Sequence, residues 1–139
     1  VLGNVYVERR CRLHGGHLMR DIVVKIGGAD VSLRGTFGAA EEVMRHIGDP
    51  IALIKENHLA SAIPAYQPKL SLTVANIPVV LWIGAKAAGD KRSLDDWKAV
   101  VFDAGYIECM EPAMAYILHI TTSQSQRETE PSEGETAGE

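Results

Sequence analysis

The stretch IGGADVSLRGTFGAAEEVM, residues 26–44, decides the fold because its hydrophobic period changes halfway along. On both sides of the Gly27–Gly28 pair, apolar residues alternate with polar ones, which is typical of two half-buried strands joined by a tight turn. Thr36 then precedes apolar residues at helical spacing, as expected for a helix with a side-chain cap. The stretch therefore predicts a β-hairpin over residues 22–34, followed by a helix.

The glycines of this stretch also invite a second interpretation, a phosphate-binding loop. Such a loop needs glycine N–H groups directly after a strand and usually a lysine at the start of the next helix. Here a second strand lies between Gly28 and the helix, and no lysine occurs from Gly35 to Gly38. Neither GxGxxG nor GxxxxGK[ST] is present. The hairpin turn is therefore favoured, and no cofactor is predicted.

Capping and stop signals predict four more helices downstream. They are expected at about residues 50–58, 77–88, 94–104 and 108–120, with a loop over residues 60–69. The expected caps are Asp49, Asn76 and a Ser93–Asp96 capping box, and Pro112 is expected near the first turn of the last helix. The expected inward residues of the second and last helices are Ile51, Ile54, Met110, Met114, Ile117 and Leu118. Helices near Trp82 and Trp97 are expected at the centre of the core.

The predicted architecture is α+β and mostly helical. An N-terminal β-hairpin is followed by a small bundle of four to five helices in one compact domain, residues 21–122. Residues 1–20 show little periodicity beyond a short strand at Val5–Val7 and are interpreted as a flexible arm. Residues 123–139 contain no large apolar residue and are predicted to form a disordered acidic tail.

Charge and composition exclude several classes of protein. The tail carries five glutamates and one arginine, so it accounts for the whole formal net charge of −4 and leaves the body balanced. No basic stripe is present to bind a nucleic-acid backbone, and no apolar run reaches the roughly 18 residues of a membrane span. Two widely separated cysteines and the absence of a secretory signal pattern favour the cytoplasm.

Two groups of polar residues could in principle carry chemistry. Cys11, His14 and His17 are residue types that bind zinc, but a structural zinc site needs four ligands and a flexible basic segment is the favoured interpretation. A Cys109–His119 pair is conceivable, although Cys109 is better interpreted as a small core residue. Asp96 and Asp103 are interpreted as capping and solvated carboxylates. No catalytic or metal site is therefore predicted, and the chain is not expected to be an enzyme.

Two long segments resemble the tail assembly chaperones of tailed phages, especially those of gene transfer agents. The segments are DIVVKIGGADVSLRGTFGAAEEVMRHIGDPIALI, residues 21–54, and IPVVLWIGAKAAGDKRSLDDWKAVVFDAGYIECMEPAMAYIL, residues 77–118. The family has a glycine-turned hairpin, a helix, a later helix with an LW pair and a Ser- or Thr-capped helix. This chain departs from the family in having Ala85 where leucine is usual and Pro78 within the apolar helix.

The resemblance implies a non-enzymatic chaperone that binds the tape measure protein, helps recruit tail tube protein in the cytoplasm of a host bacterium and is usually absent from the finished particle. Its candidate partner-binding residues here are Trp82, Lys86, Trp97 and Val101, although core packing is the favoured role of these helix faces. The sequence leaves open a homo-oligomer. It also leaves open a structural tail component (tube or connector subunit) and, less favoured, a metal-binding protein using Cys11, His14 and His17.

Overall fold

The structure, a computed structural model, describes residues 7–12 and 18–122 of the chain. Within these ranges a three-stranded antiparallel sheet is followed by five helices. The strands are β1 (Val7–Arg12), β2 (Leu18–Ile26) and β3 (Ala29–Arg34), and the helices are α1 (Phe37–His46), α2 (Pro50–Ala62), α3 (Ile77–Ala87), α4 (Leu94–Ala104) and α5 (Tyr106–Thr121). The predicted class, mostly helical α+β with a hairpin before the helices, is confirmed.

Strands β2 and β3 form the predicted hairpin. Ile26 pairs with Ala29 across a two-residue turn in which Gly27 and Gly28 have φ angles of 61° and 86°. Positive φ at both turn residues is characteristic of a type I′ turn, whose twist matches that of the strands. Glycine adopts this conformation without steric cost, so the opening glycines serve to reverse the chain.

Strand β1 lies in a segment that the sequence had indicated to be an arm. It pairs antiparallel with β2, from Val7 opposite Val23 to Arg12 opposite Leu18. The sheet therefore includes residues 7–12 and begins before residue 21, where the sequence had placed the start of the domain. Strand pairing satisfies main-chain N–H and C=O groups and does not require a regular side-chain pattern. The remaining arm residues and the acidic tail lie outside the described residues.

Helices α1 and α2 begin at the predicted caps. The side chains of Thr36 and Asp49 accept hydrogen bonds of 2.9 and 3.0 Å from main-chain N–H groups in the first turn of each helix. Helix α2 continues to Ala62, whereas the sequence had indicated a loop from residue 60 onward. It ends there because Pro64 disfavours helical geometry at the residue before it, and Ile63 is extended.

The last three helices follow the predicted order, with differences at two of their starts. Ser93 and Asp96 form the predicted capping box of α4, with hydrogen bonds of 3.0 and 3.1 Å. Asn76 occupies the N-cap position of α3, but its side chain accepts a bond from a preceding main-chain N–H and does not cap the helix. Helix α5 begins at Tyr106, so Pro112 lies inside the helix and not near its first turn.

Helix α3 lies at the centre of the core, where it contacts β3, α1, α4 and α5. Val80 and Leu81 on this helix are fully buried. Gly84 lets the helix approach its neighbours closely, because a Cβ at this position would lie 3.0 Å from the ring of Tyr116 and 3.1 Å from Cβ of Leu33. The absence of a side chain at position 84 therefore fixes the distance between α3, β3 and α5.

Three of the six residues predicted to face inward on α2 and α5 do so, and three do not. Ile54 and Met114 pack, partly buried, against the core. In α2, Leu53 is fully buried and Ile51 is 59% exposed. In α5 the predicted Ile117 is buried, whereas Met110 and Leu118 are 42% and 53% exposed. The buried hydrophobic residues of α5 are Cys109, Ala113, Tyr116 and Ile117. Several large apolar side chains therefore remain on the surface.

Candidate protein-binding surface

The four residues predicted to bind a partner separate into two pairs. Trp97 and Val101, on α4, are fully buried and belong to the core. Their side chains offer no surface to a partner in the folded chain, so the structure agrees with core packing, the role that the sequence favoured for this face of α4. Trp82 and Lys86, on α3, are half-buried and exposed respectively. They are the two predicted residues that reach the surface.

Lys86 covers the surface of Trp82. Its Nζ lies 3.8 Å from the centre of the indole ring and 3.1 Å from the carboxylate of Glu42. The ring of His46 meets the same indole edge-on, with ring centres 6.0 Å apart. Cation–π contacts and ion pairs at exposed sites contribute about 1 kcal/mol or less each. Trp82 is therefore already engaged by neighbours within the chain, which leaves little free apolar surface at this place.

An apolar groove of about 410 Å³ lies between α2, α5 and the segment that joins α2 to α3. Most of its lining residues are apolar, two are uncharged polar residues and one is a carboxylate. They are Leu53, Asn57, Ala60, Pro68, Leu70, Ser71, Leu72, Ile107, Met110, Glu111 and Met114. Concave surfaces of this size and chemistry are typical of sites that hold apolar ligands or the apolar side chains of a partner.

Helix α5 supplies the more exposed wall of the groove. Ile107 is 80% exposed, Met110 is 42% exposed and Met114 is half-buried. These residues lie at positions i, i+3 and i+7, so they form one row along the helix. Methionine has a flexible, polarisable side chain that adapts to partners of different shape. The wall is therefore apolar, accessible and adaptable.

The floor of the groove comes from the segment between α2 and α3, which hydrogen bonds hold in place. The carboxylate of Glu56 accepts a bond of 2.9 Å from the N–H of Lys69 and another of 2.9 Å from the hydroxyl of Tyr66. These bonds, first that from Lys69, lower the pKa of Glu56 below its usual value. Further along, Asn76 donates a bond of 3.0 Å to the carbonyl of Ser71. The floor is therefore organised before any partner binds.

A smaller recess of about 300 Å³ lies beside the hairpin turn. Its lining includes Gly27, Gly28 and Cys109. Cys109 is 1% exposed, and burial, with a smaller contribution from the charge of Glu108, raises the pKa of its thiol to about 11. Near neutral pH the sulfur is therefore protonated and is a poor nucleophile. Cys109 is suited to packing, as the sequence predicted.

The two other polar pairs suggested by the sequence, Cys109–His119 and Asp96–Asp103, do not form a site in the structure. Cys109 and His119 are separated by about 15 Å along the axis of α5, so the thiol and the imidazole do not meet. Asp96 is held in the capping box of α4, and Asp103 is exposed on the same helix. The structure therefore does not bring these pairs together.

Neither a metal-binding cluster nor a membrane-spanning helix is found in the part of the chain that the structure describes. Across residues 7–12 and 18–122, no three His, Cys, Asp or Glu side chains are grouped so that they could hold a metal ion. His14 and His17 lie outside these ranges, so the proposed Cys11–His14–His17 set is not tested. In the same part of the chain, every helix is too short or too polar to cross a lipid bilayer.

The groove itself was not among the predicted sites. For Met110 and Met114 the sequence favours core packing over a binding groove, because apolar residues at this spacing usually pack inward. Met114 does pack, partly buried, against the core, and Met110 is exposed. The available signal was that α5 is apolar on more than one side, with Ile107, Met110 and Met114 on one face and Cys109, Ala113 and Tyr116 on another. A helix with two apolar faces can bury one in its own core and leave the other for a partner.

Comparison of the chain with protein-family models, curated proteins and solved structures finds no match in any of the three. The surface is therefore interpreted from the geometry and chemistry of the chain's own residues. By these criteria the groove between α2 and α5 is the strongest candidate for a binding site.

Proposed function

We propose that this chain is a non-enzymatic tail assembly chaperone of a phage or a gene transfer agent. In this proposal it binds the tape measure protein and assists assembly of the tail tube. The observation that carries the proposal is the apolar groove with its exposed row of Ile107, Met110 and Met114. A long helical tape measure exposes apolar stripes until the tube closes around it, and a chaperone needs accessible apolar surface to cover such stripes.

The order of elements supports the same family. The resemblance implies a glycine-turned hairpin, a helix, a later tryptophan-containing helix and a Ser-capped helix. Strands β2 and β3 and helices α1, α3 and α4 occur in that order, and Ser93 caps α4. This agreement concerns the fold, and the groove is the observation that supports the functional part of the proposal.

The charge of the chain is compatible with a helper in assembly. The formal net charge is −4, and five glutamates lie in residues 123–139. Negative charge disfavours self-association and favours basic partner surfaces. In the proposed role this charge keeps the complex with the tape measure dispersed. Tails of this kind assemble in the bacterial cytoplasm, so the proposal places the chain there.

Co-expression tests the proposal directly. The proposal expects a long coiled-coil tape measure protein to be encoded beside this chain. That protein would be produced in bacteria with the chain, and separately with an unrelated acidic protein of similar size. The proposal predicts that only this chain raises the amount of tape measure protein in the supernatant and co-purifies with it. The proposal would be contradicted if the chain neither raised the amount of soluble tape measure protein nor co-purified with it.

The composition of finished particles separates a chaperone from a structural tail component. Quantitative mass spectrometry of purified tails would compare copies of this chain with copies of the tube protein. The proposal predicts that the chain is absent or present only in traces. Stoichiometric copies would instead identify it as a tube or connector subunit.

A further inference from the structure

We infer that the groove between α2 and α5 binds an amphipathic helix that presents about two turns of apolar side chains and a Lys or Arg opposite Glu111. The inference rests on the proposed function, because it names the surface and the kind of segment through which the partner would be held. The proposed occupant of the groove is a helical segment of another protein that carries Lys or Arg beside its apolar stripe.

The two walls of the groove match the repeat of a helix. On α2, Leu53, Asn57 and Ala60 lie at positions i, i+4 and i+7, with Asn57 and Ala60 exposed above the buried Leu53, and on α5 the corresponding row runs from Ile107 to Met114. Each row covers about 10 Å of helix axis, which is about two turns. A helix laid between two such rows packs its side chains into the spaces along both walls, as in helix bundles. A helix lying along the groove would therefore pack against both α2 and α5.

The charge of the groove selects among amphipathic helices. Glu111 is the one charged residue in the lining, and its side chain is exposed. An exposed ion pair contributes little affinity, but it disfavours a partner that brings a like charge to the same place. A helix with Lys or Arg beside its apolar stripe therefore fits better than one with Asp or Glu.

Two occupants from the chain itself fit less well. Residues 123–139 contain no large apolar residue and carry five glutamates, so they can neither fill the groove nor pair with Glu111. In a second copy of the chain, symmetric pairing through α5 would bring the two Glu111 carboxylates towards each other. Both arguments favour a different, basic partner segment.

Three labelled peptides test the inference with the full chain. Each has about 18 residues, long enough to form a helix. The first has leucines at helical spacing flanked by lysines, the second replaces the lysines by glutamates, and the third keeps the composition of the first but moves the leucines out of helical register. Fluorescence anisotropy would measure binding, and sedimentation would measure the oligomeric state of the chain.

The variants are Met110→Glu, Glu111→Lys and the matched control Met44→Glu, an exposed methionine of α1 outside the groove. Met110→Glu places a charge in the apolar wall, so we expect the first peptide to bind at least about tenfold more weakly. Met44→Glu should bind it like the unaltered chain. Glu111→Lys should reduce the preference for the first peptide over the second. Urea unfolding of each variant would show that the fold is retained.

Several results would overturn the inference. One is that the first and third peptides bind equally well. Another is that Met110→Glu and Met44→Glu change binding equally. A third is that no peptide binds because the chain is dimeric through the groove. The proposed function could survive these results, since the tape measure could still be solubilised through another surface. Conversely, peptide binding without any effect on the tape measure would support the groove and contradict the proposed function.

Discussion

The hydroxyl of Tyr116 donates a hydrogen bond of 2.7 Å to the main-chain carbonyl of Arg34. The two residues are 82 positions apart, so this bond joins the last helix, α5, to the end of the hairpin. The side chain of Arg34 in turn holds Asp21 on strand β2, with bonds of 2.7 and 3.2 Å. Sheet and helices are therefore linked by a short polar chain beside the core.

Tyr116→Phe should weaken this link while keeping the buried ring. Loss of the hydroxyl leaves the carbonyl of Arg34 with one partner fewer in a partly buried place, so the free energy of unfolding should fall by about 1–2 kcal/mol. Urea unfolding would measure the change. The matched control is Tyr106→Phe on the same helix, where the half-buried ring contacts Phe102 and the change should be within about 0.5 kcal/mol. Similar losses in the two variants would contradict the role given to Tyr116.

Asp21→Asn should be more costly than a comparable change at the tip of the hairpin. The side chains of Asp21 and Arg34 are only 7% and 20% exposed, so removal of one charge leaves the other poorly solvated. We expect a loss of about 2–4 kcal/mol in urea unfolding. Asp30→Asn breaks the exposed pair with Lys25 and should cost less than about 1 kcal/mol. Equal losses would show that burial of the first pair has no energetic consequence.

Gly84→Ala should destabilise the chain although alanine is the better helix former. The new methyl group would lie 3.0–3.1 Å from Tyr116 and Leu33, which is closer than ordinary contact. Overpacking of this kind costs about 1–3 kcal/mol. Gly38→Ala, in the open first turn of α1, should be neutral or stabilise by up to about 1 kcal/mol. Thermal unfolding would measure both, and a stabilising Gly84→Ala would contradict the close approach of α3.

Stability should fall at alkaline pH in part because of Cys109. Between about pH 9 and pH 11 the unfolded chain has released the thiol proton and the folded chain retains it. The unfolded state then binds fewer protons, so the free energy of unfolding decreases as pH rises through this window. Urea unfolding of Cys11→Ser, compared with Cys11→Ser/Cys109→Ala, would isolate the effect. The second protein should show the shallower decline, and identical slopes would contradict the raised pKa.

Most of the fold could be predicted because its elements are encoded locally. Thr36, Asp49 and the Ser93–Asp96 box each fix a helix start with their own side chains, and Gly27 and Gly28 fix the turn. Strand β1 could not be predicted in this way, because its partner is the edge of β2 and its bonds are made by the main chain.

The buried face of α5 could not be predicted because it is decided by tertiary contacts. The helix has apolar residues on more than one side, and Gly84 of α3 accommodates the ring of Tyr116, so that side turns inward. Met110 and Met114 consequently line the surface groove. The groove also needs Leu70 and Leu72 from a segment whose position depends on bonds to Glu56. No spacing along the sequence indicates that these parts meet.

The central claim is that the groove between α2 and α5 holds the partner. The most direct test measures how much tape measure protein co-purifies with the unaltered chain, with Met110→Glu and with Met44→Glu after co-expression. The account predicts equal amounts with the unaltered chain and Met44→Glu, and at least about a tenfold loss with Met110→Glu. Equal amounts with all three proteins would contradict it.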